Sequence, residues 1–429
     1  MVKWQIFRNF TVDNQIVMNK IKPLDQSLYV GAKAHNDTAK LQNKFGSQDS
    51  ILYKIREFSS SVPDFRRNGK GNIRHRLDDI IMLIILARAS GHTARADIIE
   101  FGRHNLNKFR KMGMLRNGVP SEATLCRADN GIDDLAMADR MQELAVSLHA
   151  RVAKPCTAKE IICIDGKAER GTVLPNGRNP DIVSAYSFNT GIILAAEACQ
   201  EKSNEITAVP SLISKTDISG KIVTADAMSM QKGIIDKVRE GGGDFLIELK
   251  ANQRGLLYGV EDRLRASVPS YSYKYGPELG HGRIETRKYR IYDGLGLIAD
   301  KEKWGGGMSI IEYESETVMK STGNLTTERR LYVSSLPPDT PGIGEIVRSH
   351  WSVESMHWSL DATLLQDKVK RKSARGARNL DTIQRIVFSV FSAWRGLRRK
   401  RSDKRLGFKQ LIRRVSMSFT KLRRFLLQK

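Results

Sequence analysis

Cysteine is scarce in this chain: Cys126, Cys156, Cys163 and Cys199 are the only four in 429 residues. They show no CxxC or Cys/His ligand spacing, which argues against a zinc site or a disulfide framework and for reduced thiols packed in a core. Long apolar runs are missing as well. The longest, Ile80 to Ala87, falls far short of a membrane span and reads as a buried helix. The chain opens Met1-Val2-Lys3-Trp4-Gln5 without the apolar stretch and small residues of a secretory signal, so a location inside the cell is expected. Acid is in deficit: 47 Asp and Glu against 71 Lys and Arg leave a formal charge of +24. Such an excess favours a polyanionic partner, with DNA, RNA and anionic membrane surfaces as the candidates. With 40% hydrophobic and 28% charged residues the chain is not mainly disordered, and its length suits two or three domains.

Residues 1–60 carry no sustained period and read as an N-terminal extension. From His75 to about Leu148 the pattern is helical. Leu77, Ile80, Ile81, Leu83, Ile84 and Leu86 form a strongly apolar helix that Gly91 stops, Ala94 to Phe109 follow, and Ser121 is positioned to cap another helix. Residues 61–155 therefore read as a small helical domain, which either lays a helix in a DNA groove or fills a bundle.

At Glu160 the character changes. Ile161-Ile162-Cys163-Ile164 is a continuous apolar run bounded by Asp165-Gly166, as in a buried strand. Strands over Ile182 to Phe188 and Gly191 to Ala198 complete a meander around Asn189-Thr190-Gly191. A helix near Asn204 to Ser214, a short strand Ile222 to Ala225 ending on Asp226, a helix through Ile234, Ile235 and Val238, and a strand Phe245 to Leu249 follow. Three strands, helix, strand, helix, strand is the order of an RNase H-like sheet, so an α/β catalytic core is expected over 156–394. A β-rich insertion, about 255–340, precedes closing helices from Ile343 onward. Arg395 to Lys429 holds 14 Lys and Arg against the single acid Asp403, and its spacing of Arg413-Arg414, Lys421 and Arg423-Arg424 with Leu411, Ile412, Phe419, Leu422 and Phe425 reads as a basic amphipathic helix. Such a tail would track phosphates, lie on a membrane surface or pair with a partner helix.

Metal-assisted phosphodiester chemistry needs carboxylates from separate elements to clamp the attacking and leaving oxygens. Asp165 and Asp226 close strands that lie side by side in the expected order. Taken singly, an Asp-Gly after a strand is ordinary turn chemistry. A third acid, Glu354, lies in His350-Trp351-Ser352-Val353-Glu354-Ser355-Met356-His357-Trp358-Ser359-Leu360-Asp361, where Glu354, His357 and Asp361 share a helix face with His350. That face could ligate a metal, or it could be the solvated side of a helix packed by Trp351 and Trp358.

These residues resemble the DDE transposases of the H-repeat-associated, ISAs-type insertion-sequence group. The likeness spans roughly residues 56–390 and includes Gly118-Val119-Pro120-Ser121 with Arg127, Ile164-Asp165-Gly166-Lys167, Lys202-Ser203-Asn204-Glu205-Ile206, Thr224-Ala225-Asp226-Ala227, Leu249-Lys250-Ala251-Asn252-Gln253 and His281-Gly282-Arg283-Ile284-Glu285-Thr286-Arg287. The related pattern of Tyr, Arg, Glu and Lys is not intact, since Val347, His350 and Asp361 stand at the Tyr, Arg and Lys positions. The resemblance implies an RNase H-like core whose Asp165, Asp226 and Glu354 bind two Mg²⁺ ions, with Mn²⁺ as a substitute, and catalyse cleavage at transposon ends and strand transfer into target DNA. It further implies double-stranded DNA with terminal inverted repeats as partner, a homodimer on paired ends, and a bacterial cytoplasm with the nucleoid as the setting. Lys202, Asn204, Lys250, Asn252, Gln253, Arg283, Arg287, Arg348, His350, Trp351 and His357 are the candidates for gripping DNA. The alternatives are a catalytically silent, domesticated transposase that only binds DNA, and a nuclease of the same fold that cleaves without joining.

Overall fold

A computed structural model describes residues 44–428 apart from 68–72, 155–157, 174–176, 200–204, 281 and 399. Most of the N-terminal extension, together with Cys156, Lys202 and Asn204, lies outside the described residues.

The N-terminal half is built of α1 (Ile51–Ser61), α2 (Leu77–Ala89), α3 (Arg95–His104), α4 (Leu106–Lys111), α5 (Glu122–Gly131) and α6 (Asp134–Val152). The apolar run that fixes α2 also explains its place, because every residue of the helix is buried. Gly91 follows it at φ +87°, the left-handed conformation that ends a helix at little cost in glycine. Ser121 caps α5, accepting from the Thr124 amide, and Asp133 does the same for α6 through Ala136 at 2.8 Å.

The C-terminal half is organised on one nine-stranded sheet. Its strands are β1 (Ile161–Ala168), β2 (Asp181–Ser187), β3 (Ile193–Ala198), β4 (Ile222–Ala225), β5 (Asp244–Leu249), β6 (Tyr271–Gly280), β7 (Arg283–Asp293), β8 (Ser309–Met319) and β9 (Leu325–Ser334), in the spatial order β3-β2-β1-β4-β5-β9-β8-β7-β6. β1 to β3 form the antiparallel meander. β4 and β5 run parallel to β1, which requires crossovers, and α7 (Glu205–Lys215) and α8 (Lys232–Glu240) supply them. The insertion is not a separate sheet: β9 pairs antiparallel to β5 and carries β8, β7 and β6 outward on the same ladder. It opens with α9 (Arg254–Leu264) and β6, neither of which has a clear sequence signal. All ten residues of β6 are exposed, so no buried face imposes an apolar alternation on them.

After the sheet come α10 (Ile343–Ser349), α11 (Trp351–Trp358), a π-helical turn over Ser359–Thr363, and the 24-residue α12 (Ala374–Leu397). α12 packs on α2, α5 and α6 as well as on β3, joining the bundle to the sheet through one continuous core. In the basic tail, after a short helical turn over Arg401–Lys404, the amphipathic stretch is two helices rather than one, α13 (Phe408–Ser416) and α14 (Phe419–Leu426). Their apolar face is already covered: Phe425 stacks on Trp394 at 4.5 Å and Phe419 meets Phe109 at 4.9 Å. The membrane and partner-helix readings of the tail lose their physical basis, since Leu411, Val415, Phe419, Leu422 and Phe425 face inward. Among the described residues no helix is long and apolar enough to cross a membrane.

Candidate active site

β1 and β4 pair in parallel from Ile161↔Ile222 to Ile164↔Ala225. The next residue on each strand is an aspartate, so Asp165 and Asp226 leave the parallel ladder side by side. Only β4 ends there. β1 runs on to Ala168 against β2, with Asp165 opposite Ser184, so Asp165 lies within its strand rather than at its end. β4 stops because Asp226 caps a 3₁₀ turn over Ala227–Ser229, accepting from the Ser229 amide and hydroxyl at 3.4 and 3.5 Å. Asn252 and Gln253 brace this turn by donating to the carbonyls of Ala227 and Met230 at 2.6 and 2.8 Å. Both are therefore occupied as structural supports.

The stretch from α10 to the π-helical turn runs along β1 and meets side chains on one face of the strand, at every second residue. Cys163 Sγ meets the Ser349 carbonyl at 3.4 Å, His357 Nδ1 lies 3.5 Å from Asp165 Oδ2, and Lys167 Nζ lies 2.9 Å from Asp361 Oδ1. Lys167 also reaches Asp367 at 3.3 Å, so its charge is spent away from Asp165. Glu354 is exposed on α11 one turn before His357. His350, by contrast, is half-buried against β4 with Nδ1 3.4 Å from Thr224 Oγ1. The helix is packed by Val353, Met356 and Leu360, not by its tryptophans. Trp351 is half-buried beside Tyr313 and under the Arg330 guanidinium, and Trp358 is 66% exposed.

Electrostatically this edge is one-sided. Burial, then the charges of Asp226, Glu205 and Glu354, pushes the Asp165 carboxyl up to about 7. Burial and the nearby cations Arg385 and Lys167 hold His357 down to about 3, and burial with Arg330 holds His350 down to about 4. His357 is consequently a neutral imidazole at pH 7, and its Nε2 is buried without a hydrogen-bond partner. Uncompensated carboxylates with a neutral imidazole are the donor set a hard divalent cation takes. Among the described residues no three such side chains are yet drawn close enough to enclose an ion. No sequence signal singles out Glu205, although it sits inside the Lys202-to-Ile206 motif; sequence distance hides it, because only the fold brings α7 to Asp165.

The DNA-gripping candidates separate in the same way. Lys250 is largely exposed after β5 and pairs with Glu248 at 2.9 Å. Arg283 is exposed at the start of β7, and Arg348 is half-exposed, 3.6 Å from Glu285. Arg287 is not available: it is 3% exposed, turned into the sheet and paired with Glu278. His350 is half-buried, its Nδ1 turned toward Thr224. A cavity of about 400 Å³ lies elsewhere, between α2, α12 and α13, lined among others by Arg88, Lys368, Lys409 and Arg413 and by none of the acids above.

Residues 157–388 match the transposase DDE domain and residues 56–144 match the DDE_Tnp_1-associated region. The chain is 30% identical over 365 residues to the putative transposase YncI of Escherichia coli O157:H7, covering 82% of this chain and 91% of that one. It is 31% identical over 366 residues to the H repeat-associated putative transposase YhhI of Escherichia coli K12, covering 81% and 94%. A piggyBac transposase synaptic complex with hairpin DNA aligns over 90% of this chain and 80% of its own, at 13% identity and a TM-score of 0.40. The chain is a member of the transposase DDE-domain family, in its H-repeat-associated group.

Proposed function

We propose that this transposase cuts and rejoins DNA with Asp165, Asp226 and Glu354 on an RNase H-like core. The observation that carries the reading is the exit of two aspartates from one parallel ladder, in register, beneath a helix that bears Glu354. The β3-β2-β1-β4-β5 order, with β4 and β5 parallel to β1, supports the core assignment. Transposase DDE domains use divalent metal ions. The three carboxylates would hold a pair of Mg²⁺ ions, which when bound supply Lewis acidity to activate water and to stabilise the leaving 3′ oxygen.

The chain's own residues do the positioning. His357, neutral and 3.5 Å from Asp165, fixes that carboxylate without neutralising it. The 3₁₀ turn braced by Asn252 and Gln253 holds Asp226. Water attacks the phosphodiester at the transposon end, the P–O bond to the 3′ oxygen breaks, and the freed 3′-OH then attacks a phosphodiester of the target, displacing its own 3′ oxygen. No covalent bond to the protein is required. Lys250 and Arg283, exposed in the sheet half, and the exposed tail cations Arg413, Lys421 and Arg424 are the residues free to contact phosphates. Terminal inverted repeats brought together by a homodimer are the substrate this reading implies.

The test is cleavage and joining of DNA carrying the element's own terminal repeats, in Mg²⁺ or Mn²⁺, by wild type and Asp165→Asn. Cleavage and joining by wild type alone support the proposal. Binding without cleavage would leave a silent DNA-binding protein, and cleavage without joining a nuclease.

A further inference from the structure

We infer that Glu205 is a fourth carboxylate of this site, a ligand of the divalent cation shared by Asp165 and Asp226. The inference rests on the reading that those two aspartates bind such a cation.

Its first support is Gly166. This glycine is not in a turn, and it is absent from the positive-φ residues; it lies within β1, paired with Val183. A Cβ built there would meet the Glu205 carboxylate, so glycine leaves open the space that the end of this flexible side chain occupies, and a larger residue would push the carboxylate away. A side chain has been given up inside a buried strand, at a cost of strand stability, where this carboxylate comes up against the backbone next to Asp165. Strand alternation places Gly166 on the face opposite Asp165. That is the side covered by α7, which packs on β2, β3 and the turn after Asp226. The edge of the β1–β4 ladder is thus approached from both faces of the sheet, by α11 with Glu354 and His357 on one and by α7 with Glu205 on the other.

The second support is that nothing among the described residues answers the Glu205 charge. Among the described residues its carboxylate has no ion pair or hydrogen bond, and its charged neighbours are Asp165, Asp226 and Asp181. A carboxylate in the first turn of a helix gains from the helix dipole, but that role alone would favour a solvated position over one pressed against other acids. A cation accounts for both the crowding and the glycine.

The experiment is Mn²⁺ binding to the full-length protein by calorimetry, with thermal unfolding of the metal-free and metal-loaded forms, for wild type, Asp226→Asn, Glu205→Gln and Gly166→Ala. Glu205→Gln is expected to weaken Mn²⁺ at least about tenfold and to leave the metal-free melting temperature unchanged or higher. Gly166→Ala, which displaces the carboxylate while keeping it, is expected to weaken Mn²⁺ too. Glu205→Gln and Gly166→Ala both binding Mn²⁺ within about twofold of wild type while Asp226→Asn does not would overturn the inference and spare the two aspartates. Should Glu205→Gln fail to fold, Glu205→Asp and Gly166→Ala carry the same test. If Asp226→Asn also binds like wild type, the reading beneath the inference has failed as well.

Discussion

Two pairs of acids in this molecule invite comparison. Asp78 and Asp79, both buried, open α2 in the helical half; Asp165 and Asp226, both half-buried, follow the parallel β1–β4 pairing in the sheet half. The first pair is answered in full. Arg56 reaches Asp78 at 2.5 Å and Asp79 at 3.2 Å, Arg76 adds a contact to Asp78 at 2.6 Å, and the Leu115 amide donates to Asp79 at 3.0 Å. Burial raises Asp79, while the arginines hold Asp78 below the usual carboxylate range. Among the described residues the second pair has no arginine or lysine against it; the cations that come near are engaged elsewhere, Lys167 with Asp361 and Asp367, Arg385 with Asp381 at 2.6 Å. A buried acid whose charge is paired holds the fold together, whereas one left unpaired stores a demand for an external cation.

The comparison breaks most sharply at Asp165. Asp165→Asn should reduce Mg²⁺-dependent cleavage of terminal-repeat DNA by about 10³-fold or more, roughly 4 kcal/mol of transition-state stabilisation, while circular dichroism stays that of wild type. On the paired side the effect moves to folding: Arg56→Ala strands two buried carboxylates and should cost about 3–5 kcal/mol in a urea titration. His357→Ala should lower cleavage about 10- to 100-fold through a mispositioned Asp165, with DNA affinity unchanged.

The pH dependence of the unpaired side has a definite sign. The folded protein holds the Asp165 proton up to about 7, whereas an unfolded carboxyl releases it near its ordinary 3.8. Stability of the metal-free protein therefore falls as pH rises between these values and carries the full penalty above them. Asp165→Asn should melt higher than wild type at pH 8, by roughly 1 °C for each kcal/mol relieved in a chain of this length, and the gap should close by pH 4. The smallest effect belongs to the tail. Replacing Arg413, Lys421 and Arg424 with Ala should reduce the salt slope of DNA binding by about one for each phosphate that is no longer neutralised, without changing cleavage at saturating DNA.

Strands β1 to β5 were legible because burial on both faces writes continuous apolar runs such as Ile161 to Ile164. Exposed β6 wrote none. The Asp165-Gly166 pair shows a subtler loss. Its sequence signature is that of a turn, yet the glycine serves a close approach from a residue 39 positions later (205 − 166). Arg287 and His350 read as surface grips because a charged or polar side chain is usually solvated; the sheet buries Arg287 and half-buries His350 against β4.

The sequence by itself determined the apolar α2, the meander and crossover order, the excess of positive charge and the two aspartates that follow apolar strands, since each is written in local periodicity or composition. Tertiary structure alone decided which charges meet. It set Arg56 against Asp78, spent Lys167 on Asp361, turned the apolar side of the tail inward and brought Glu205 to Gly166. Pairing depends on distances between elements far apart in the chain, and no local pattern encodes them.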